Sequence, residues 1–322
     1  MAHLVEQMAY VGSEPWHGLG NRLPNGQPLE VWQQAAGMDW QIEASDVRFM
    51  SDVQGHLGTI HTFPEQKVLY RSDNKEALSV VSNRYQVVQP REILEFYRDL
   101  MNTNQYELET AGVLKGGRKF WALARTGQSA TIKGKDEVNG YLLLATSCDG
   151  SMATTATPTT VRVVCNNTLS IAVNGATQAI KVPHNTSFDS QVVKLQLGVA
   201  VSQWDEFMTR MRALAERKVK PQEAMSYFRK VVCDVDDEGT LSTALPNERA
   251  LKRVHTLFEG QGRGSDLVAA KGTAWGMLNA VTEFVDHERR ARTTGHRMDS
   301  AWFGQGANLK QKALDQALLM VA

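Results

Sequence analysis

Apolar and polar residues alternate through much of the first half of the chain, and apolar spacings of three and four take over in the second. DWQIEASDVRFM (39–50) has the period of two expected of a half-buried strand, and KVLYRSD (67–73) and ALSVVSNRYQVV (77–88) continue in strand style. Before them LEVWQQAAG (29–37) predicts a short helix stopped by Gly37. Pro90 opens a second helix in PREILEFYRDLMN (90–102), with Ile93, Leu94, Tyr97, Leu100 and Met101 as its buried face. YELETAGVLKGGRKFWALAR (106–125) reads as a hairpin around Lys115-Gly116-Gly117. GYLLLATSCDG (140–150) is a strand closed by the Asp149-Gly150 turn, and SMATTATPTTVRVV (151–164) returns from it. CNNTLSIAV (165–173) then predicts a helix capped by Asn166 or Asn167.

From about residue 187 the period becomes helical. A long helix is predicted over 187–218, with Trp204, Phe207, Met208, Met211 and Leu214 on one side. Further helices are predicted over 221–232, 247–260, 265–292 and 308–321. The pattern gives an α+β protein: an antiparallel, strand-rich N-terminal part with a β-β-β-α core, then a helical C-terminal part. The expected domains are 1–186 and 187–322.

Charge changes this picture locally. The 322 residues carry 35 basic and 35 acidic side chains, so any nucleic-acid surface has to be local. Between Ala111 and Lys181 eight basic residues face three acidic ones, a net of five positive charges in a strand-rich block. Lys115, Arg118, Lys119, Arg125 and Arg162 are the candidate phosphate contacts, with Phe120 and Trp121 as platforms for bases. The same residues also fit a solvated outer face with the aromatics in the core. Arg289, Arg290, Arg292 and Arg297 form a second basic cluster with Glu288 as its one acid, suited either to stabilising a helix C-terminus or to gripping phosphate.

Other chemistry is sparsely signalled. Cys148, Cys165 and Cys233 lack zinc-ligand spacing. Cys165 sits where a helix N-terminus would lower a thiol pKa, but nothing marks a base for it, and a packed structural cysteine is the simpler reading. His17, His255, His287 and His296 show no HxxxH or HExxH pattern, and Asp286 and His287, adjacent on a helix, should point apart. No Walker loop, dinucleotide fingerprint or nucleophile elbow is present, so no catalytic residue, metal or cofactor is expected. The N-terminus has no signal-peptide pattern and no apolar run reaches the length of a membrane span, which reads as a soluble protein of the cytoplasm.

Seven stretches together carry a family resemblance: PWHGLG (15–20), NRYQVVQPREILEF (83–96), GGRKFWALAR (116–125), LLLATSCDGS (142–151), TPTTVRVVCNNTL (157–169), GTAWGMLNAVTEFVDH (272–287) and FGQGANLKQKAL (303–314). In these the chain resembles the phage/plasmid-like protein family catalogued as domain of unknown function 932. The resemblance implies a phage or mobile-element origin and little about chemistry. Ser147-Cys148-Asp149 departs from the family pattern, where a histidine is expected before the Asp-Gly turn. The β-β-β-α order is also similar, at the level of topology, to single-strand annealing proteins of the Rad fifty-two type.

These readings converge on a phage protein that binds single-stranded DNA and supports annealing or recombination without catalysis, acting as a homo-oligomer in the host cytoplasm. Two alternatives stand beside it. One is a protein–protein module that binds a host protein as a takeover or counter-defence factor. The other is an unrecognised hydrolase or nuclease, with Asp286, His287 and Asp149 as the first places to look.

Overall fold

A computed structural model describes residues 5–12, 20–53, 56–102, 106–164, 167–173, 176–177, 179–201, 204–233 and 247–322. The chain is α+β, with antiparallel sheets early and helices late. Its elements begin with β1 (Val5–Val11), β2 (Asn21–Leu23), α1 (Leu29–Ala35), β3 (Ile42–Val53), β4 (His56–Arg71), β5 (Ala77–Ser82) and α2 (Pro90–Asn102). They continue with β6 (Glu107–Leu114), β7 (Lys119–Thr131), β8 (Glu137–Ser147), β9 (Thr154–Arg162), β10 (Asn167–Ser170), β11 (Ala172–Val173), β12 (Ala176–Thr177) and β13 (Ile180–Val182). The helices that follow are α3 (Ser190–Val201), α4 (Trp204–Glu216), α5 (Pro221–Val232), α6 (Glu248–Thr256), α7 (Ala274–Glu283), α8 (Thr294–Phe303) and α9 (Gln305–Leu318).

Two compact units interleave along the chain: residues 1–125, 142–156 and 179–196 make the first, and 126–141, 157–178 and 197–322 the second. Strands β7, β8 and β9 each run through both. In the first unit the strand order is β2-β1-β6-β7-β8-β9, with β13 also on β9, and a separate sheet of order β3-β4-β5. The β6–β7 turn needs three successive left-handed residues, Lys115, Gly116 and Gly117, with φ of 56°, 65° and 92°. Helix α2 lays Ile93, Leu94, Phe96 and Tyr97 into the core, while Leu100 and Met101 stay half-buried. The Tyr97 hydroxyl lies 3.1 Å from the Ala122 carbonyl and 2.9 Å from that of Leu142, so the buried phenol is satisfied by the sheet.

The second unit takes its strands in the order β7-β8-β9-β10 and packs helices into one hydrophobic core. Phe207, Met208, Met211 and Leu214 of α4 are buried there with Phe228, Met277, Leu278, Val281 and Leu314. Tyr227 donates its hydroxyl to the Ala313 carbonyl at 2.8 Å, tying α5 to α9.

Three expectations change. CNNTLSIAV is strand where it is described, so the helix that should close the β-β-β-α unit is β10 instead. Asn167 through Ser170 pair antiparallel with Arg162 through Thr159, and burial alternates along them. A cross-strand ladder with threonine hydroxyls on the Leu169 carbonyl outweighs the capping preference of the asparagines. Asn166 and Cys165 lie outside the described residues. The helix expected over 265–292 starts only at Ala274, because Gly272 turns the chain at φ +63° and the Thr273 hydroxyl accepts the Gly276 N–H. Helix α8 was not foreseen; Thr293 caps it by accepting the His296 N–H at 3.3 Å. The span expected as one helix over 187–218 is described as α3 and α4, on either side of residues 202 and 203, which lie outside the described residues.

Gly276 decides how closely α7 approaches the loop before it. A Cβ there would lie 1.9 Å from the Ala270 carbonyl oxygen, a clash between two backbones. Gly276→Ala should therefore lower stability by at least about 3 kcal/mol, at the upper end of overpacking costs. Gly134→Ala, with open space around its Cβ and φ of +65°, should cost about 1 kcal/mol. Urea denaturation of the two variants measures the difference.

Candidate functional site

Strand β10 and helices α7 and α9 bring polar side chains together in the second unit. The ladder alternation turns Asn167 inward beside Arg162, its partner on β9. Past Glu283, α7 widens into a π-type turn over Phe284–Glu288, closed by the Arg289 N–H on the Phe284 carbonyl. Both Asp286 and His287 reach β10 from this turn, although adjacent helical residues were expected to point apart. The Asp286 carboxylate accepts the Thr168 N–H at 2.7 Å and sits 3.1 Å from its hydroxyl, and His287 Nε2 is 3.1 Å from Asn167 Oδ1. Lys310 of α9 completes the set, with Nζ 2.7 Å from Asp286 Oδ1 and 2.6 Å from Thr168 Oγ1.

A second buried pair lies behind it. Asp136, with no exposed surface, receives both Arg162 Nε (2.8 Å) and Nη2 (2.7 Å). The Trp275 indole N–H donates to the same carboxylate at 2.9 Å, and the Arg162 guanidinium also reaches the Gly264 carbonyl at 3.1 Å. Glu283 accepts the Arg263 N–H; burial pushes its carboxyl above the usual carboxylate range, and that hydrogen bond opposes the rise. These charges are matched partner to partner, so the cluster is a frame that holds β9, β10, α7 and α9 in place.

The frame ends in a pocket of about 210 Å³ lined by Arg289, Arg290, Arg297, His296, Ser300 and Gln305, with Val285 beneath. Arg297 is aimed by two backbone carbonyls, of His287 at 2.8 Å and of Arg289 at 3.1 Å. Arg289 Nη2 donates to Gln305 at 3.2 Å, while its Nη1 is buried with no hydrogen-bond partner. Arg290 is exposed, and no carboxylate lines the pocket among the described residues. Three guanidinium groups on one wall are a composition that suits an oxyanion such as phosphate.

The sequence-predicted contacts fall in different surroundings. Arg118 is exposed and Lys115 half-buried at the turn, but Lys119 is buried and Arg125 is paired with Glu109 at 2.9 Å. Phe120 and Trp121 are fully buried, with Phe120 packed edge-on against Trp40, so neither ring presents a face to a base. Arg162 is 3% exposed and held by Asp136, so it is not presented to a phosphate chain: a guanidinium on a β-branched strand needed a carboxylate partner, and the turn before β8 brings one. Arg289 and Arg290 line the pocket, and Arg292 is exposed nearby in sequence. Arg297, read with the same basic cluster, also lines the pocket. Lys310, Asp136 and Glu283 were not singled out as site residues; only their tertiary partners distinguish them from ordinary charged positions.

The other candidates settle as follows. His17 and Cys165 lie outside the described residues. His255 is 3.8 Å from Glu259, and no group of three or more metal-ligating side chains occurs among the described residues. Cys148 is buried, and that burial pushes its thiol up to about 12. Asp149 belongs to the first unit and closes its turn by accepting the Ser151 N–H at 2.9 Å.

Breaking the Asp286–Lys310 pair from one side strands a buried charge. Lys310→Met should lower stability by about 3–5 kcal/mol, while Lys310→Met combined with Asp286→Asn should cost less than the sum of the two single changes. Chemical denaturation of the three variants gives the coupling, and additive losses would show that the pair is not a unit.

No curated protein matches the chain. The model of one family, described as Domain of unknown function (DUF932), matches residues 77–302. That span covers more than half of the chain, from β5 through α8, and takes in β9, β10, α7 and the arginines of the pocket; the chain belongs to the DUF932 family.

Proposed function

We propose that this protein binds single-stranded nucleic acid without catalysis, and that the arginine corner at 289–297 is where it holds the phosphate chain. The carrying observation is the pocket with Arg289, Arg290 and Arg297 on its walls, where the buried Arg289 Nη1 has no hydrogen-bond partner among the described residues. A phosphodiester oxygen would satisfy that nitrogen, and a buried donor left unmade costs about 1–3 kcal/mol. Among the described residues the Arg290 and Arg292 side chains have no hydrogen bond or ion pair, and both are exposed, so they are available to neighbouring phosphates. The frame behind the pocket supplies rigidity. In this reading the cations of the β6–β7 hairpin are secondary, with Arg118 the most accessible of them. A role in annealing or recombination for a phage or mobile element, in the host cytoplasm, follows the same reading.

Fluorescence anisotropy with a labelled single-stranded oligonucleotide tests it. Affinity should fall steeply with salt, and Arg290→Ala with Arg292→Ala should weaken binding several-fold and flatten the log–log salt slope by about 1 to 2. Both residues are exposed, so a folded double variant is expected. Arg162→Ala is the wrong probe, because it unseats Asp136. No binding by the wild-type protein at low salt would sink the reading.

A further inference from the structure

In the first unit β3 and β4 extend well beyond the rest of their sheet. Strand β5 pairs with β4 only at Gln66–Tyr70, whereas β3 and β4 remain paired out to Val53 and His56. The outer part is thus a two-stranded ribbon, a form that is marginal in water by itself. It is also apolar on both faces. Phe49 lies 5.2 Å from the His61 ring on one face, and Met50 sits opposite Ile60 on the other. Phe49 is 52% exposed, Met50 64% and Ile60 66%. Exposed apolar side chains along an edge strand mark a surface that associates.

The edge of β3 identifies the occupant. At its start the Gln89 side-chain amide takes both backbone groups of Ile42, donating to its carbonyl at 3.1 Å and accepting its N–H at 2.8 Å, as a neighbouring strand would. Ile42 therefore directs its backbone outward, and by strand alternation so do the following even-numbered residues to Met50, since the register shift between Asp46 and Val47 puts its extra residues, 64–66, on β4 and leaves β3 continuous. From Ala44 to Val53 no described strand pairs with this edge.

Asp46 and Arg48 are both exposed on this edge, 3.8 Å apart. A second β3 laid antiparallel on the first and centred on Val47 sets each Asp46 opposite the other copy's Arg48. The same register pairs Ala44 with Met50. Backbone direction allows slips of two residues only, which centre the pair on Asp46 or on Arg48. Either slip places like charges directly opposite and is unfavourable. The strand is self-complementary in charge in one register and self-repelling in the neighbouring ones.

We propose that the outer edge of β3 is a homodimerisation site, where a second copy of this chain adds its own β3 antiparallel across a two-fold axis at Val47. The proposal stands apart from the nucleic-acid reading, since it uses none of the pocket residues.

Sedimentation equilibrium of the full chain across a wide concentration range tests it with a charge exchange. The wild-type protein should dimerise. Arg48→Asp alone, and Asp46→Arg alone, should each weaken the dimer at least tenfold, because each sets like charges across the two-fold. The double exchange, Asp46→Arg with Arg48→Asp, should recover most of the affinity. All four residues concerned in the two copies are exposed, and circular dichroism checks that every variant is folded. A wild-type monomer at all concentrations, a dimer indifferent to the single exchanges, or a double variant no better than the single ones would each overturn the proposal.

Discussion

Asp136 is a carboxylate with no exposed surface, and a charge so placed must be answered on both oxygens. Arg162 from β9 supplies a two-pronged contact, and Trp275 from α7 supplies an indole N–H. One buried group therefore fixes three elements: the β7–β8 turn that carries it, the strand that pairs with β10, and the helix that carries Asp286. The second charge pair, Asp286 with Lys310, is laid on that foundation, with the Thr168 backbone and hydroxyl between them. Removing one partner of such a pair is costly, while the pair as a whole adds little net stability over an apolar substitute. Its contribution is geometric, since a hydrogen-bonded charge pair accepts one arrangement of its neighbours where an oily contact accepts several.

The division of labour among arginines follows from the same physics. A guanidinium bound by a carboxylate on two nitrogens has little left to offer a phosphate, and Arg162 is in that state. Arg297 donates to two neutral backbone carbonyls, which orient its guanidinium toward the pocket. Arg289 has one nitrogen on a neutral amide and one buried without a partner, so its full charge faces the pocket. Counting positive residues along the chain does not separate these states. The identity of the partner does.

The ribbon of β3 and β4 presents a different problem, that of an open edge. Charged side chains on edge strands usually discourage association. Here one acid and one base two residues apart discourage it in most registers and favour it in one, so the same device that protects the edge can select a partner.

Local patterning was sufficient for much of the architecture. The period-two run at β3, Gly37 and Pro90 as helix boundaries, the Lys115-Gly116-Gly117 turn and the apolar face of α4 are properties of nearest neighbours, and they appear where the sequence places them. The arginine cluster at 289–292 was visible for the same reason. What depended on distant residues was not legible. Asn167 to Ser170 could cap a helix or join a ladder, and only the adjacent β9 makes the ladder the lower-energy choice. Phe120 and Trp121 could stack on bases or fill a core, and Trp40 and the surrounding sheet decide for the core. Arg162 looked like a free cation because its carboxylate lies 26 residues away in the chain. The sequence by itself determined most of the segments that extend or coil, and where charge accumulates. Only the tertiary structure decided which charges remain available, because burial and pairing are set by residues far apart along the chain.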